Sequence, residues 1–373
     1  MKKKIPPTKV NIPNEDYPVI FEEMKDCLDS GMLTIGKYTK RFESSLSNLL
    51  HNKPVVGVSS GTSALEISGM CFDVKDFEVI IPANTFIATP LAFTRIGAKI
   101  RFADCDSFFG TITLNEVKRL HNERTKAVVI VHIGGIVAPE SLAIKEYCEE
   151  NNLILIEDAA HAIGSSVDNI QAGTIGDAGT FSFFATKVVT SGEGGAIVLN
   201  DNTHLNDCNI YRDQGKKDFS TNLHVLPGSN WRMSEMHAIL GYHQLKHLDS
   251  FIAARKKTVD HYISRLGSEK LQFVLPPENS ISNWYKATAL LPEEVNTQKL
   301  RENLALKGIS LGGEVYKVPC HKQPIYSNEY GEEVLKNTGS FCSQHICLPL
   351  SAVMSPDEVD SVCDELIKEL KKV

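Results

Sequence analysis

Two residues that could do chemistry stand at the ends of apolar runs. Ile154-Leu-Ile-Glu-Asp-Ala-Ala-His161 places Asp158 at the end of a strand pattern, and Phe181-Ser-Phe-Phe-Ala-Thr-Lys187 leads into the glycine-rich Ser191-Gly-Glu-Gly-Gly195. A lysine amine can bond an aldehyde as a Schiff base, and a buried acid can keep a pyridine nitrogen protonated so that the ring accepts electrons. Those are the parts needed to hold pyridoxal 5'-phosphate (PLP), with Lys187 and Asp158 as the catalytic pair. Alone, a strand-end acid is common in α/β proteins and most lysines are solvated; order and context give the pair its meaning. His161 by itself would most often be a satisfied structural histidine.

A phosphate needs donors, and Ser59-Ser-Gly-Thr-Ser-Ala-Leu65 supplies them. It follows an apolar strand and opens a helix, so small side chains let backbone N–H groups approach an anion that the helix dipole favours. The spacing is neither a dinucleotide fingerprint nor a P-loop, so NAD and ATP are not indicated. Pro82-Ala-Asn-Thr-Phe86 ends another strand, where Phe86 can lie flat on a cofactor ring.

These residues need a scaffold, and the alternation of short apolar runs with helical patterns from about Val55 to Leu199 predicts α/β layering. Seven strands are expected, at 55–58, 78–81, 99–102, 127–131, 153–156, 179–183 and 196–199. Several are apolar throughout, as suits a mostly parallel sheet covered on both faces. Helices are expected at 63–70, 88–95, 114–121 and 141–151, then one long helical stretch over 234–267. Beyond it, strands at 271–275 and 287–291 and helices at 297–307 and 356–372 describe a smaller C-terminal α/β domain. The organisation read from the chain is an N-terminal arm over 1–20, a large domain over 21–249 and a small domain over 250–373.

At 373 residues two domains are the natural count, and 42% hydrophobic with 23% charged residues is ordinary for a globular protein. A net charge of −7 without a basic block argues against a nucleic-acid partner; Lys2-Lys3-Lys4 reads as a solvated chain start. No apolar run approaches the roughly 18 residues of a membrane span, and no apolar segment follows the first lysines as a signal peptide requires. Nine scattered cysteines, an odd number with no Cys-x-x-Cys, read as reduced thiols of a cytoplasmic protein. Cys320-His321, Cys342 and Cys347 match no common zinc spacing, so no metal is expected.

With these motifs in place, the chain resembles the DegT/DnrJ/EryC1/StrS family of sugar aminotransferases, which have the type I PLP-dependent fold. The resemblance runs through Leu33-Thr-Ile-Gly36, Arg41-Phe-Glu43, Ser60-Gly-Thr-Ser-Ala-Leu65, Pro82-Ala-Asn-Thr-Phe86 and Glu157-Asp-Ala-Ala-His161. It continues through Phe181-Ser-Phe183, Lys187, Gly192-Glu-Gly-Gly195, Gly228-Ser-Asn-Trp-Arg-Met-Ser-Glu235, His321 and Leu348-Pro-Leu350. It implies Lys187 as the Schiff-base lysine, Asp158 as partner of the pyridine nitrogen, and Thr62, Ser63 and Ser182 as phosphate ligands. It also implies Phe86 over the ring, His161 near the ring's 3-hydroxyl, and Asn230 reaching the phosphate of a neighbouring subunit, hence a homodimer with shared active sites. Gly312-Gly-Glu-Val-Tyr-Lys317 departs from the family where relatives often carry an arginine, which leaves Lys317 and His321 as candidates for holding the substrate.

The reaction implied is transfer of an amino group from glutamate or glutamine to a keto sugar, nucleotide-linked, in surface-polysaccharide or secondary-metabolite biosynthesis. Sugar dehydratases of the family replace the lysine, and Lys187 argues against that chemistry. A carbocycle aminotransferase shares every residue named. A regulatory protein that kept the fold would be expected to lose Lys187 or Asp158, or to gain a DNA-binding region.

Overall fold

The computed structural model describes residues 4–218 and 220–372; Lys2 and Lys3 of the basic start lie outside them. Nine strands precede residue 200: β1 (Val55–Val58), β2 (Glu78–Pro82), β3 (Lys99–Ala103), β4 (Thr125–Val131), β5 (Ile154–Asp158), β6 (Ser166–Val167), β7 (Ile170–Gln171), β8 (Ala178–Ser182) and β9 (Gly195–Leu199). Seven of them form one sheet in the order β1-β9-β8-β5-β4-β2-β3. Only β9 runs against its neighbours. The seven expected strands are therefore the seven that pair.

Because β1, β2, β5 and β8 point the same way, their carboxyl ends share one edge of the sheet. That edge is where open α/β sheets bind ligands. Ser60, Phe86, Asp158 and Ser182 all follow or end these strands. The helices over 88–95 and 141–150 cover the sheet where the apolar spacing placed them. The buried apolar side chains, from Ile80, Val128 and Ile130 to Leu155, are the core that keeps that edge rigid.

A second core gathers Tyr262, Leu300, Leu304, Val362 and Leu366 around a three-stranded sheet of β10 (Gln272–Phe273), β12 (Ala287–Leu290) and β13 (His345–Leu348). Strand β11 (Ser280–Ile281) instead pairs with β6, beside β7, in a separate small sheet. The first residues join this second core: Ile5 pairs with Ile309, and the Leu350 N–H donates to the Pro7 carbonyl at 3.0 Å.

The single long helix expected over 234–267 is two helices, Glu235–Leu245 and Leu248–Leu266. The apolar period runs through the junction, so periodicity does not show the break. Distant partners hold it: His247 Nε2 meets Asp16 at 2.7 Å, and Gln244 donates to the Asn11 carbonyl at 2.9 Å. Glu235 caps another helix, Lys37–Leu49, with its carboxylate accepting from the N–H groups of Gly36, Tyr38 and Thr39 at 2.8–2.9 Å. An acid at a helix N-terminus satisfies orphan donors and the dipole together.

Candidate active site

A cavity of about 420 Å³ opens at the carboxyl edge of the large sheet, and three groups of residues meet there. Ser60, Gly61 and Thr62 contribute the start of the helix Gly61–Cys71. Asp158, His161, Ser182 and Lys187 come from the ends of β5 and β8. Tyr285, Lys286 and the turn from Gly312 to Tyr316 close it from the second part of the chain. Pro7 and Thr8 of the N-terminal arm also line it.

The helix start is built for close backbone approach. A Cβ on Gly195 would lie 2.3 Å from the Ser60 carbonyl oxygen, so only glycine lets β9 pass this turn. Thr62 and Ser182 face the cavity. Ser63 does not: its hydroxyl donates to the Ser60 carbonyl at 2.8 Å and accepts from the Ser60 N–H at 3.0 Å. Ser63 therefore shapes the turn as half of a capping box, a job that spacing alone does not distinguish from anion binding.

Asp158 is buried, with Oδ2 accepting from the Thr89 hydroxyl at 2.7 Å and Oδ1 from the Ala160 N–H at 3.1 Å. No cation forms an ion pair with it among the described residues. A buried carboxylate held only by neutral donors is costly, and the cost is relieved by a positive group in the cavity beside it. The neighbouring Glu157 is spent on structure, accepting from His132 and from the N–H groups of Gly173, Ile175 and Gly176 at 2.7–2.8 Å.

Lys187 stands in the loop between β8 and β9. Burial pushes its amine below the ordinary lysine range against the opposing pull of Tyr285 and Asp158, and Lys286 adds to the lowering. Its Nζ lies 4.8 Å from the Tyr285 ring centroid. Burial would raise the Tyr285 phenol, but Lys187 and Lys286 bring it below its usual value. His161 stacks on the same ring at 4.3 Å and approaches the Tyr316 hydroxyl at 3.3 Å. Burial, then Lys187 and Lys286, hold His161 well below its normal pKa, so it is a neutral imidazole. Phe86 lies at the mouth, 55% exposed, its ring 5.6 Å from Tyr316.

The two substrate candidates are not brought to the cavity. Lys317 points outward and bonds Gln298 at 2.5 Å. His321 is buried against Phe102 with a ring separation of 6.2 Å, and burial pushes it down to about 4. The segment 312–321 bends so that Gly312, Gly313, Glu314, Val315 and Tyr316 line the cavity while the residues after them turn away. Asn230 is exposed beside Asp213, also outside the cavity. Tyr285, Lys286, Tyr316 and Thr89 are site residues that sequence reading missed. Tyr285-Lys286 precedes a strand as a polar-tipped pair, a signal too ordinary to act on.

The residues present suit PLP: a helix-start cradle for its phosphate, an acid lacking a cation for its ring nitrogen, and a lysine of lowered pKa for its aldehyde. Comparison with known proteins agrees. A sequence profile of the DegT/DnrJ/EryC1/StrS aminotransferase family matches residues 15–367. The GDP-perosamine synthase of Vibrio cholerae is 31% identical over 343 residues, 91% of this chain and 93% of that protein. PseC of Helicobacter pylori, an aminotransferase involved in the biosynthesis of pseudoaminic acid, is similar with a TM-score of 0.90 at 27% identity over 100% of both chains. Spr1654 of Streptococcus pneumoniae, solved in a PLP form, gives 0.88 at 25% identity over 100% of this chain and 99% of that one.

Proposed function

Because the chain belongs to the DegT/DnrJ/EryC1/StrS aminotransferase family, we propose that it moves an amino group from glutamate or glutamine to a nucleotide-linked keto sugar. Sugar amination of this kind feeds surface polysaccharides or secondary metabolites. The observation that carries the reading is one cavity shared by the Lys187 amine and a buried Asp158 without a cation. Similar proteins support the substrate class, since the name of the Vibrio cholerae relative contains a nucleotide-linked amino sugar.

PLP, when bound, supplies an aldehyde and an electron-accepting ring. Lys187 Nζ would hold that aldehyde and, freed when the donor binds, would move a proton at the substrate carbon. Burial, with Lys286 beside it, lowers its pKa and so favours the uncharged amine that can take up a proton. Asp158 would hold the proton on the ring nitrogen, and Thr89 and Ala160 fix the direction of its carboxylate. The N–H groups of Gly61 and Thr62 and the Thr62 and Ser182 hydroxyls would bind the phosphate, with Ser63 bracing the turn. Phe86 would cover the ring, and His161 would stand near its 3-hydroxyl.

Asn230 reaches the cofactor phosphate of a second copy, so the enzyme is a homodimer with shared sites; its exposure outside its own cavity supports this. Among the described residues no helix is long and apolar enough to cross a membrane. Nine free cysteines support a cytoplasmic home.

Absorbance tests the chemistry. The PLP-loaded protein should absorb in the visible, lose that band with glutamate or glutamine, and regain it with a keto-sugar nucleotide. No loss with either donor overturns the donor; no recovery across a panel of keto-sugar nucleotides overturns the acceptor. Co-expression tests the dimer. Lys187→Ala and Asn230→Ala chains together form one site that keeps Lys187 and receives an intact Asn230, so activity should exceed either parent. A fully active monomer rules the shared site out.

A further inference from the structure

Lys286 lines the cavity, and among the described residues no acid pairs with it. It stands directly before β12, and its N–H donates to the Gly134 carbonyl at 2.9 Å. Its Nζ lies 4.7 Å from the Tyr285 ring centroid, on the ring that holds Lys187 Nζ at 4.8 Å. Gly313 stands on its other side with φ +91°, and a Cβ there would come within 2.6 Å of Lys286 Nζ. The glycine leaves the amine its place.

Among the described residues no carboxylate pairs with Lys286 and no acceptor takes a hydrogen bond from its Nζ. Glu314, on the adjoining turn, is held by Arg301 at 2.8 Å. Both oxygens of Asp158 already accept from Thr89 and Ala160. Two lysines on one ring repel each other, and a partly desolvated pair of like charges is costly until an anion enters. An anion bound in the cavity would balance this charge.

The anion must be one that comes close to Lys187. The cofactor phosphate belongs to the Ser60–Thr62 turn, and Lys286 makes its contacts with Tyr285 and Gly313 instead. In an amino-acid donor the carbon that gives up its amine carries the α-carboxylate one bond away. Wherever Lys187 reaches that carbon, the carboxylate lies within a few ångströms of it.

Resting on the aminotransferase reading above, we infer that Lys286 binds the α-carboxylate of the amino donor and so sets the enzyme's preference for an α-amino acid. A lysine suits the task, because its charge sits on a flexible stem that withdraws when the keto acceptor takes the donor's place.

The test compares glutamate with isoglutamine, which is glutamate with the α-carboxylate amidated. PLP-loaded wild type, Lys286→Met and Lys286→Arg are mixed with each, and the loss of visible absorbance is followed against donor concentration. Wild type should prefer glutamate. In Lys286→Met the half-saturating glutamate concentration should rise about tenfold or more while the limiting rate changes much less. Its half-saturation for isoglutamine should not move, and Lys286→Arg should restore most of the glutamate preference. Equal shifts for both donors, or no shift with glutamate, overturn the inference. A wild type that reacts with neither glutamate nor glutamine fails the donor reading instead, and a wild type indifferent to the amidation fails this one alone.

Discussion

The cavity has two walls of different origin. One is the carboxyl edge of the large sheet, where Ser60, Asp158, Ser182 and Lys187 follow or end strands paired over several residues. The other is assembled from Tyr285, Lys286 and the turn 312–316, held by tertiary hydrogen bonds such as the Tyr316 N–H to Asn84 at 2.9 Å and the Val315 N–H to His345 at 2.9 Å. The sheet wall is set by strand ends, so a residue's distance along the chain from a strand tells where it goes. The second wall bends, and there neighbours in sequence part company: Tyr316 faces the cavity while Lys317 faces away. On the reading proposed above, the chemistry common to a PLP enzyme falls to the first wall and the choice of donor to the second.

Substitutions at the sheet wall should remove the chemistry and spare the fold. Lys187→Ala should lose about 10⁴-fold or more in transamination, since one amine both attaches the cofactor and moves the proton. Its thermal midpoint should stay near wild type, because truncating a cavity lysine opens no core void. Turnover at the wild-type rate would break the assignment. Asp158→Asn keeps the shape but cannot hold the ring nitrogen's proton, and kcat should fall about 10²- to 10³-fold. Were Asp158 only a strand-end acid, kcat would hold and stability would change instead.

Titration separates the second wall from the first. His345 Nε2 accepts from the Val315 N–H and Nδ1 meets the Phe341 carbonyl at 2.9 Å, an arrangement that requires neutral imidazole. Burial pushes it down to about 4 from 6.5. The unfolded chain therefore takes up this proton first, so the stability it contributes is present above pH 6.5 and is lost as pH falls towards 4. The loss amounts to roughly 3 kcal/mol, read from urea midpoints across that range. His345→Gln should reduce the slope, leaving the shares of His321, also pushed to about 4, and of His161, which burial holds well below its ordinary value. An unchanged slope would show that the wall does not depend on this imidazole.

Smaller effects probe the ring between the walls. Tyr285 pulls the Lys187 amine upward and Lys286 pushes it downward. In the cofactor-free protein, the pH midpoint for labelling Lys187 with an amine-selective reagent should move down in Tyr285→Phe and up in Lys286→Met. The same direction in both would contradict the arrangement around the ring. Smallest is Lys317→Ala, which should leave kcat and KM within about twofold of wild type; a large rise in KM would mean that the turn refolds around substrate.

How far the site could be read from sequence follows from the same contrast. Asp158 and Lys187 were legible because each is tied to a strand end, and strand ends follow from apolar runs. The capping contacts of the Ser63 hydroxyl were not legible, because anion-binding turns and helix caps use the same residues at the same spacing. That Lys317 and His321 lie outside the cavity was not legible, because the bend after Tyr316 depends on Asn84 and His345, far away along the chain. The break between Leu245 and Leu248 was hidden for a similar reason, since Asp16 and Asn11 hold it.

Local pattern determined the large sheet, the residues at its carboxyl edge and, through them, the class of chemistry. Periodicity of 2 and 3.6 residues and small residues at a helix start are properties of short segments, and short segments are what a sequence displays. Tertiary structure alone decided which side of the 312–321 turn meets the cavity, and that Lys286 shares a ring with Lys187 across a separation of 99 residues. Those placements depend on where distant segments pack and on a space left open at Gly313, which no single segment encodes.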